Sequence, residues 1–347
     1  MTAASRVSIK DIAKAAGVSY STVSRALNDS PLISQEVRDR IQELAQSMGY
    51  TPNALAQSLL SRLTHSIGLV ITTISDPFFV DVVKGVEEVA REAGISVFLA
   101  TSDNDPEKEI KIIEAFNRRR VDGVIVAASQ VGLDYANRLE EIRIPVVMIN
   151  NQASGEYKNL YSIAIDDFSG GRLAVHHLLE LGHRRIGYIG MKNRPASNSR
   201  RLKGYAASLE ENGITCQKEL ICSSESTLSG DFSGDIKTGQ ALVTELLERG
   251  VTAIFCYCDT VAAGALLACR QLGVAVPGQM SIIGFDDNDL CEIVTPSLTT
   301  IRQPKREMGQ MAMEMLLKCI SGGFVTDSLL TPTLVVRQST GPAPDLK

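Results

Sequence analysis

The sequence predicts an α/β chain with an all-helical start: three short helices within the first 50 residues, then strands and helices in alternation. Three observations carry this. Residues 8–27 read as two amphipathic helices joined by a glycine turn. From Ser66 onward, apolar runs alternate with stretches of helical periodicity, which means parallel sheets covered by helices on both faces. The residues just after those runs are polar, where the ligands of such sheets bind.

Ser8-Ile-Lys-Asp11 is a capping box, and Ile9, Ile12, Ala13 and Ala16 share one helical face before Gly17 ends the helix. Ser19 is placed to cap a second helix with Val23, Ala26 and Leu27 inward. A helix pair with a glycine turn is a helix-turn-helix, whose second helix enters a major groove N-terminus first. Tyr20, Ser21, Thr22, Ser24 and Arg25 then face outward. An arginine there forks onto guanine, and the hydroxyls reach phosphates or base edges. Any small helical hairpin gives the same pattern, so the pattern alone leaves both readings open. Asn28–Pro31 is a turn, and Ser34 begins a third helix with Val37, Ile41, Leu44, Ala45 and Met48 inward and Gly49 at its end. Tyr50-Thr-Pro52 breaks the chain. Asn53–Leu60 has the pattern of a two-turn helix, marginal alone because nucleation costs more than so few bonds return. Leu55, Leu59 and Leu60 would order it by docking on a larger body.

The expected strands are 67–71, 95–100, 121–126, 144–149, 161–165, 186–189, 220–222, 253–257 and 281–285. Helices fall at 79–93, 106–120, 168–181, 202–211, 238–249 and 260–272. A further strand and helix follow Pro296, and Leu329–Val336 closes the chain. Asp76, Phe78, Phe79, Asn150, Asp166, Asp259 and Asp286 sit at strand ends. Each aspartate there also reads as a helix N-cap.

Composition sets bounds. At 347 residues with 44% hydrophobic and 22% charged residues, the chain suits two or three globular domains. It has no apolar run of about 18 residues and no apolar leader near Met1, so neither a membrane span nor secretion is expected. Seven cysteines without framework spacing read as reduced thiols, Cys256 and Cys258 included. Net charge is −5, yet residues 1–64 carry seven Lys and Arg against five Asp and Glu, so positive charge sits where nucleic acid would. No G-x-G-x-x-G follows a strand, no phosphate loop occurs, and His176, His177 and His183 lack metal-ligand spacing. No enzyme and no cofactor are expected.

VSIKDIAKAAGVSYSTVSRALN resembles the N-terminus of the lactose/galactose repressor (LacI/GalR) family of bacterial transcription factors. GYTPNALAQSL resembles that family's hinge helix, and HSIGLVI the first strand of its effector domain. RVDGVI, LGHRRIGYIG, SIIGFDD and TPSLTTIRQP extend the likeness along the chain. The resemblance implies a helix-turn-helix domain over 1–50, a hinge over 51–65, and a two-lobed, periplasmic-binding-protein-like (type I) effector domain over 66–347. Its lobes would cover about 66–165 with 298–326, and 166–297 with 327–341. It implies DNA contacts from Ser19, Tyr20, Ser21, Thr22, Ser24, Arg25, Asn28 and Asn53, with Leu59 as a minor-groove wedge that kinks the duplex. It also implies effector contacts, strongest from Arg201 and Asp286, with Asp259 lining the site and Phe78 and Phe79 forming an aromatic wall. Asp76, Asn150 and Asp166 are further candidates. Asn150 stands where many members carry Asp, and Cys258 where several carry Asn, which puts the ligand's identity in doubt. The expectation is a cytoplasmic homodimer on palindromic operator DNA, a repressor of a carbohydrate operon switched by a sugar-like effector. PAPDLK after Gly341 is too short for a heptad tail, hence a dimer. The alternatives are a regulator answering a nucleoside, purine or phosphocarrier protein, a solute-binding protein without a DNA role, and, third, a Rossmann-type enzyme.

Overall fold

The structure, a computed structural model, describes residues 7–50, 63–128, 144–150, 160–192, 195–224 and 232–344. The chain divides into two compact units, Met1–Thr64 and His65–Lys347. The expected hinge helix, with Asn53 and Leu59, lies outside the described residues.

The first unit holds α1 (Ile9–Ala16), α2 (Tyr20–Leu27) and α3 (Gln35–Ser47). Local chemistry sets their ends. The Ser8 amide donates to the Asp11 carboxylate at 2.9 Å, and Gly17 closes α1 at φ +69°, a left-handed conformation that costs glycine little. Ser19 Oγ accepts from the Thr22 amide at 3.1 Å and so starts α2. Ile12, Val23, Ala26, Ile41 and Ala45 form the buried core, each large aliphatic contributing about 1.5–3 kcal/mol.

The second unit is built from two six-stranded sheets. Lobe 1 contains β1 (Ser66–Ile71), α4 (Phe78–Glu92), β2 (Ser96–Thr101), α5 (Pro106–Arg118), β3 (Gly123–Ala127), β4 (Val146–Ile149) and β5 (Leu160–Ile165). Lobe 2 follows with α6 (Asp167–Glu180), β6 (Ile186–Met191), α7 (Pro195–Glu211), β7 (Ile221–Ser224), α8 (Phe232–Glu248), β8 (Ala253–Cys256), α9 (Asp259–Gln271), β9 (Ser281–Asp286), α10 (Leu290–Ile293) and β10 (Thr299–Arg302). The chain then returns to lobe 1 for α11 (Lys305–Ile320) and β11 (Ser328–Leu330), and ends in lobe 2 with β12 (Thr333–Val335). Strand order is β11-β5-β4-β3-β1-β2 in one sheet and β12-β10-β9-β8-β6-β7 in the other. Among the described residues every pairing is parallel except β10 with β12. The central strands are buried on both faces, as helix-covered parallel strands must be.

The lobe limits expected from the sequence need two corrections. β10 belongs to lobe 2, so the second crossing falls at Gln303-Pro304 and not near 298; Thr299, Thr300 and Ile301 are fully buried beside β9. Residues 329–336 are not one strand. Pro332 offers no N–H to a ladder, and it separates β11 in lobe 1 from β12 in lobe 2, which puts the last crossing at Thr331-Pro332 rather than near 326.

α11 lies against α4 at very close range. A Cβ on Gly85 would meet the Arg306 carbonyl oxygen at 2.1 Å, and one on Gly309 the Val82 carbonyl oxygen at 2.2 Å. Arg306 Nε and Gln310 Nε2 both donate to Glu88, at 2.9 and 3.1 Å, and pin the first turns of α11 to α4.

Candidate functional site

On α2 one side faces outward: Tyr20 is 54% exposed, Ser21 and Arg25 are exposed, and Thr22 and Ser24 are half-buried. The Arg25 guanidinium makes no ion pair or hydrogen bond among the described residues, so it is available to a base edge. Ser19 and Asn28 are engaged in building the helix. Ser19 Oγ also bonds the Ser21 and Thr22 hydroxyls, each at 2.8 Å, and Asn28 Nδ2 donates to the Ser24 carbonyl at 2.8 Å. Both fix the presentation of the residues between them.

In the second unit the polar groups gather at the carboxyl ends of the strands. Arg201, on α7, is 3% exposed. Its Nε donates to Asp167 Oδ1 at 2.8 Å and its Nη1 to the Tyr257 carbonyl at 2.6 Å. Its guanidinium lies 3.5 Å from the Phe285 ring centroid and 4.5 Å from that of Tyr257, so two aromatic faces hold the cation flat. Nη2 makes no hydrogen bond among the described residues. Burial raises the Asp167 carboxyl while Arg201 pulls it back down. Of the adjacent acids the sequence pointed to Asp166, but Asp166 caps α6 through the Ser169 amide at 3.0 Å and its hydroxyl at 2.6 Å. Asp167, one residue on, holds Arg201.

Asp286 ends β9. It is 7% exposed, and its Oδ1 accepts from Gln303 Nε2 at 2.6 Å, while Oδ2 makes no hydrogen bond among the described residues. Burial pushes its carboxyl well above the usual range, with Arg201 opposing. The two groups feel each other's charge without a direct ion pair. The backbone here is strained: Asp286 has φ +118° and Asp287 φ +55°, at about 1–3 kcal/mol each for side chains with a Cβ. Lys305 Nζ, 4% exposed, donates to the carbonyls of both. From lobe 1, Asn150 Nδ2 reaches Gln303 Oε1 at 3.5 Å and its Oδ1 accepts from the Ile165 amide at 3.2 Å.

Three expected contacts have other duties. Asp259 is fully buried, with Oδ2 taken by the Asn288 amide at 2.8 Å and Oδ1 by Thr300 Oγ1 at 2.5 Å. A carboxylate so enclosed ties β10 and the turn after β9 to α9. Phe78 and Phe79 meet edge to face at 5.3 Å, but at 7% and 2% exposure they sit in the core of lobe 1 rather than as an open wall. Asp76 Oδ1 accepts from the Phe78 amide at 2.9 Å and lies within electrostatic reach of Asp286. Cys258 is buried with its Sγ 3.0 Å from Thr260 Oγ1, and burial holds its thiol up, so it is inert. Asp167, Tyr257, Gln303 and Lys305 were not singled out from the sequence. Of these only Gln303 left a trace, inside the string TPSLTTIRQP. Among the described residues no group of His, Cys, Asp and Glu could hold a metal ion, and no helix is long and apolar enough to cross a membrane.

A helix-turn-helix followed by two parallel sheets crossed three times by the chain defines a class, the DNA-binding regulator with a receptor unit. Comparison with known proteins agrees. Residues 8–53 match the bacterial regulatory proteins of the lacI family, and residues 175–340 match the periplasmic binding protein-like domain. The chain is 36% identical to the HTH-type transcriptional regulator DegA of Bacillus subtilis (strain 168), over 97% of this chain and 99% of that one. The lac repressor dimer bound to operator and the anti-inducer ONPF superposes with TM-score 0.85 at 28% identity, over 97% of this chain and 100% of that one. The transcriptional regulator CelR in complex with cellobiose gives TM-score 0.70 at 28% identity, over 96% and 100%. The chain belongs to the lacI family of bacterial regulatory proteins, and it is a DNA-binding transcriptional regulator.

Proposed function

We propose that this regulator is a cytoplasmic repressor of a carbohydrate-utilisation operon, that it binds a palindromic operator as a homodimer, and that a sugar-like effector at Arg201 and Asp286 switches its operator affinity. One observation carries the effector reading. In this cluster Arg201 Nη2 and Asp286 Oδ2 are a donor and an acceptor with no hydrogen bond among the described residues. Such a pair suits hydroxyl groups, which accept from a guanidinium and donate to a carboxylate. The cellobiose held by CelR and the operator-bound lac repressor dimer support the ligand class and the assembly. No reaction is assigned to the chain. An effector acts only through its difference in affinity for the two arrangements of the lobes.

The test begins with thermal-shift screening against neutral sugars and nucleosides, since a bound ligand raises the midpoint by mass action. Operator titration with and without the hit then compares parent and Asp286→Asn. Asparagine keeps an oxygen for Gln303 but replaces the second carboxyl oxygen, an acceptor, with an NH2 donor. We expect parental operator affinity and a loss of ligand response worth about 2–5 kcal/mol. A variant that answers the ligand at the parental concentration would move the effector site elsewhere.

A further inference from the structure

Lys305 breaks two rules of sequence placement. It opens α11, where the helix dipole disfavours a cation, and its side chain is 4% exposed, where an ammonium requires partners for three donors. Residues that violate local preference mark places where the fold has other demands. Here the partners are two backbone carbonyls, those of Asp286 at 2.6 Å and Asp287 at 2.8 Å, with the Asp81 carboxylate 4.0 Å away. The two carbonyls belong to the strained pair at the end of β9, in lobe 2. The lysine itself belongs to lobe 1. Its helix is locked to α4 by the Gly85–Gly309 approach and by Arg306 on Glu88.

We infer that Lys305 is a positioning residue, a buried strut from lobe 1 that holds the Asp286–Asp287 backbone of lobe 2 in its strained conformation and so aims the Asp286 carboxylate. The mechanism is electrostatic. Both carbonyls of the strained pair accept from one ammonium, and that shared contact makes the arrangement self-consistent. Gln303, from the same crossing, holds the carboxylate of Asp286 while Lys305 holds its carbonyl. One residue of lobe 2 is therefore gripped at both ends by the segment that leads into lobe 1. A displacement of the lobes must stretch the Lys305 contacts, and a displacement of Asp286 must be felt at the first turn of α11.

The inference is testable on the full chain without any effector. Amide hydrogen exchange is followed for the parent, Lys305→Met and Lys305→Arg. Met removes the donors at similar volume, whereas Arg restores a cation with a fork that spans two carbonyls. Local protection reports local opening. We expect K305M to exchange about tenfold faster over residues 286–291 and over the crossing at 302–308, with β1, β3, β6 and β8 unchanged. K305R should retain parental protection within about threefold. Parental protection at 286–291 in K305M overturns the inference. So does acceleration spread evenly over both lobes, which marks a packing defect, or a K305R as open as K305M. If K305M does not fold, Lys305→Gln, with a shorter stem and one amide donor group, takes its place under the same criteria.

Discussion

Asp259 shows how far a residue's position in the sequence can mislead about its work. It stands at a strand end among ligand-binding candidates, yet both its oxygens are consumed by the protein and none of its surface meets solvent. Burial pushes its carboxyl up to about 6, and the neighbouring Asp286 moves in the same direction. An unfolded aspartate titrates near about 3.9. A folded value above the unfolded one means stability that is full below the unfolded pKa and is lost as pH rises through about 6. Asp259→Asn keeps an oxygen for the Asn288 amide and offers Thr300 a donor, without the charge. Its melting temperature should therefore gain on the parent's between pH 4.5 and pH 7.5, by the equivalent of about 2–3 kcal/mol at most. Burial lowers His177 and His183, which act in the opposite sense, but they are common to both proteins and cancel in the difference. A melting difference that stays constant over that range would mean Asp259 is ionised in the folded chain at both ends of it.

Two elements bear on separate parts of the proposed function. α2 presents Arg25 from a helix whose ends are fixed by Ser19 and Asn28, so the guanidinium projects from a rigid base. Arg25→Ala should cost about 1–3 kcal/mol on the preferred operator and relax preference at one base pair per half-site. Equal weakening on every sequence in competition binding would mark Arg25 as a phosphate contact instead. β2 has a different character. It is the outer strand of the first sheet, and Phe98 and Leu99 stand 44% and 47% exposed on it. Apolar side chains on an open edge invite a second chain. We expect Phe98→Asp to shift the chain from dimer to monomer in sedimentation equilibrium, with its thermal melt little changed. A dimer that withstands the charge places the homodimer contact on another face.

At the scale of the molecule, legibility followed range. The capping box at Ser8, the glycine stop at Gly17 and the βαβ alternation are local signals, and they put nearly every element within a few residues of its observed place. Arg201 and Asp286 stood out through family strings and do come together. What stayed hidden depends on contacts between distant segments. Nothing in Asp166-Asp167 says which acid meets a guanidinium 34 positions later. Lys305 was invisible for a related reason: its partners are carbonyls 19 and 18 residues back, and every residue has a carbonyl.

The crossings themselves have a consequence for how the lobes can move. β5 hands over to α6 through Asp166, β10 to α11 through Gln303-Pro304, and β11 to β12 through Thr331-Pro332. β11 neighbours β5 at the margin of one sheet, and β12 neighbours β10 at the margin of the other. All three tethers are thus one or two residues long and run along a single border, like the pins of a door. A displacement that leaves all three tethers in place is a swing about the pinned border. An effector seated between the lobes would be read as an angle, and an angle is a quantity two copies of the chain could compare.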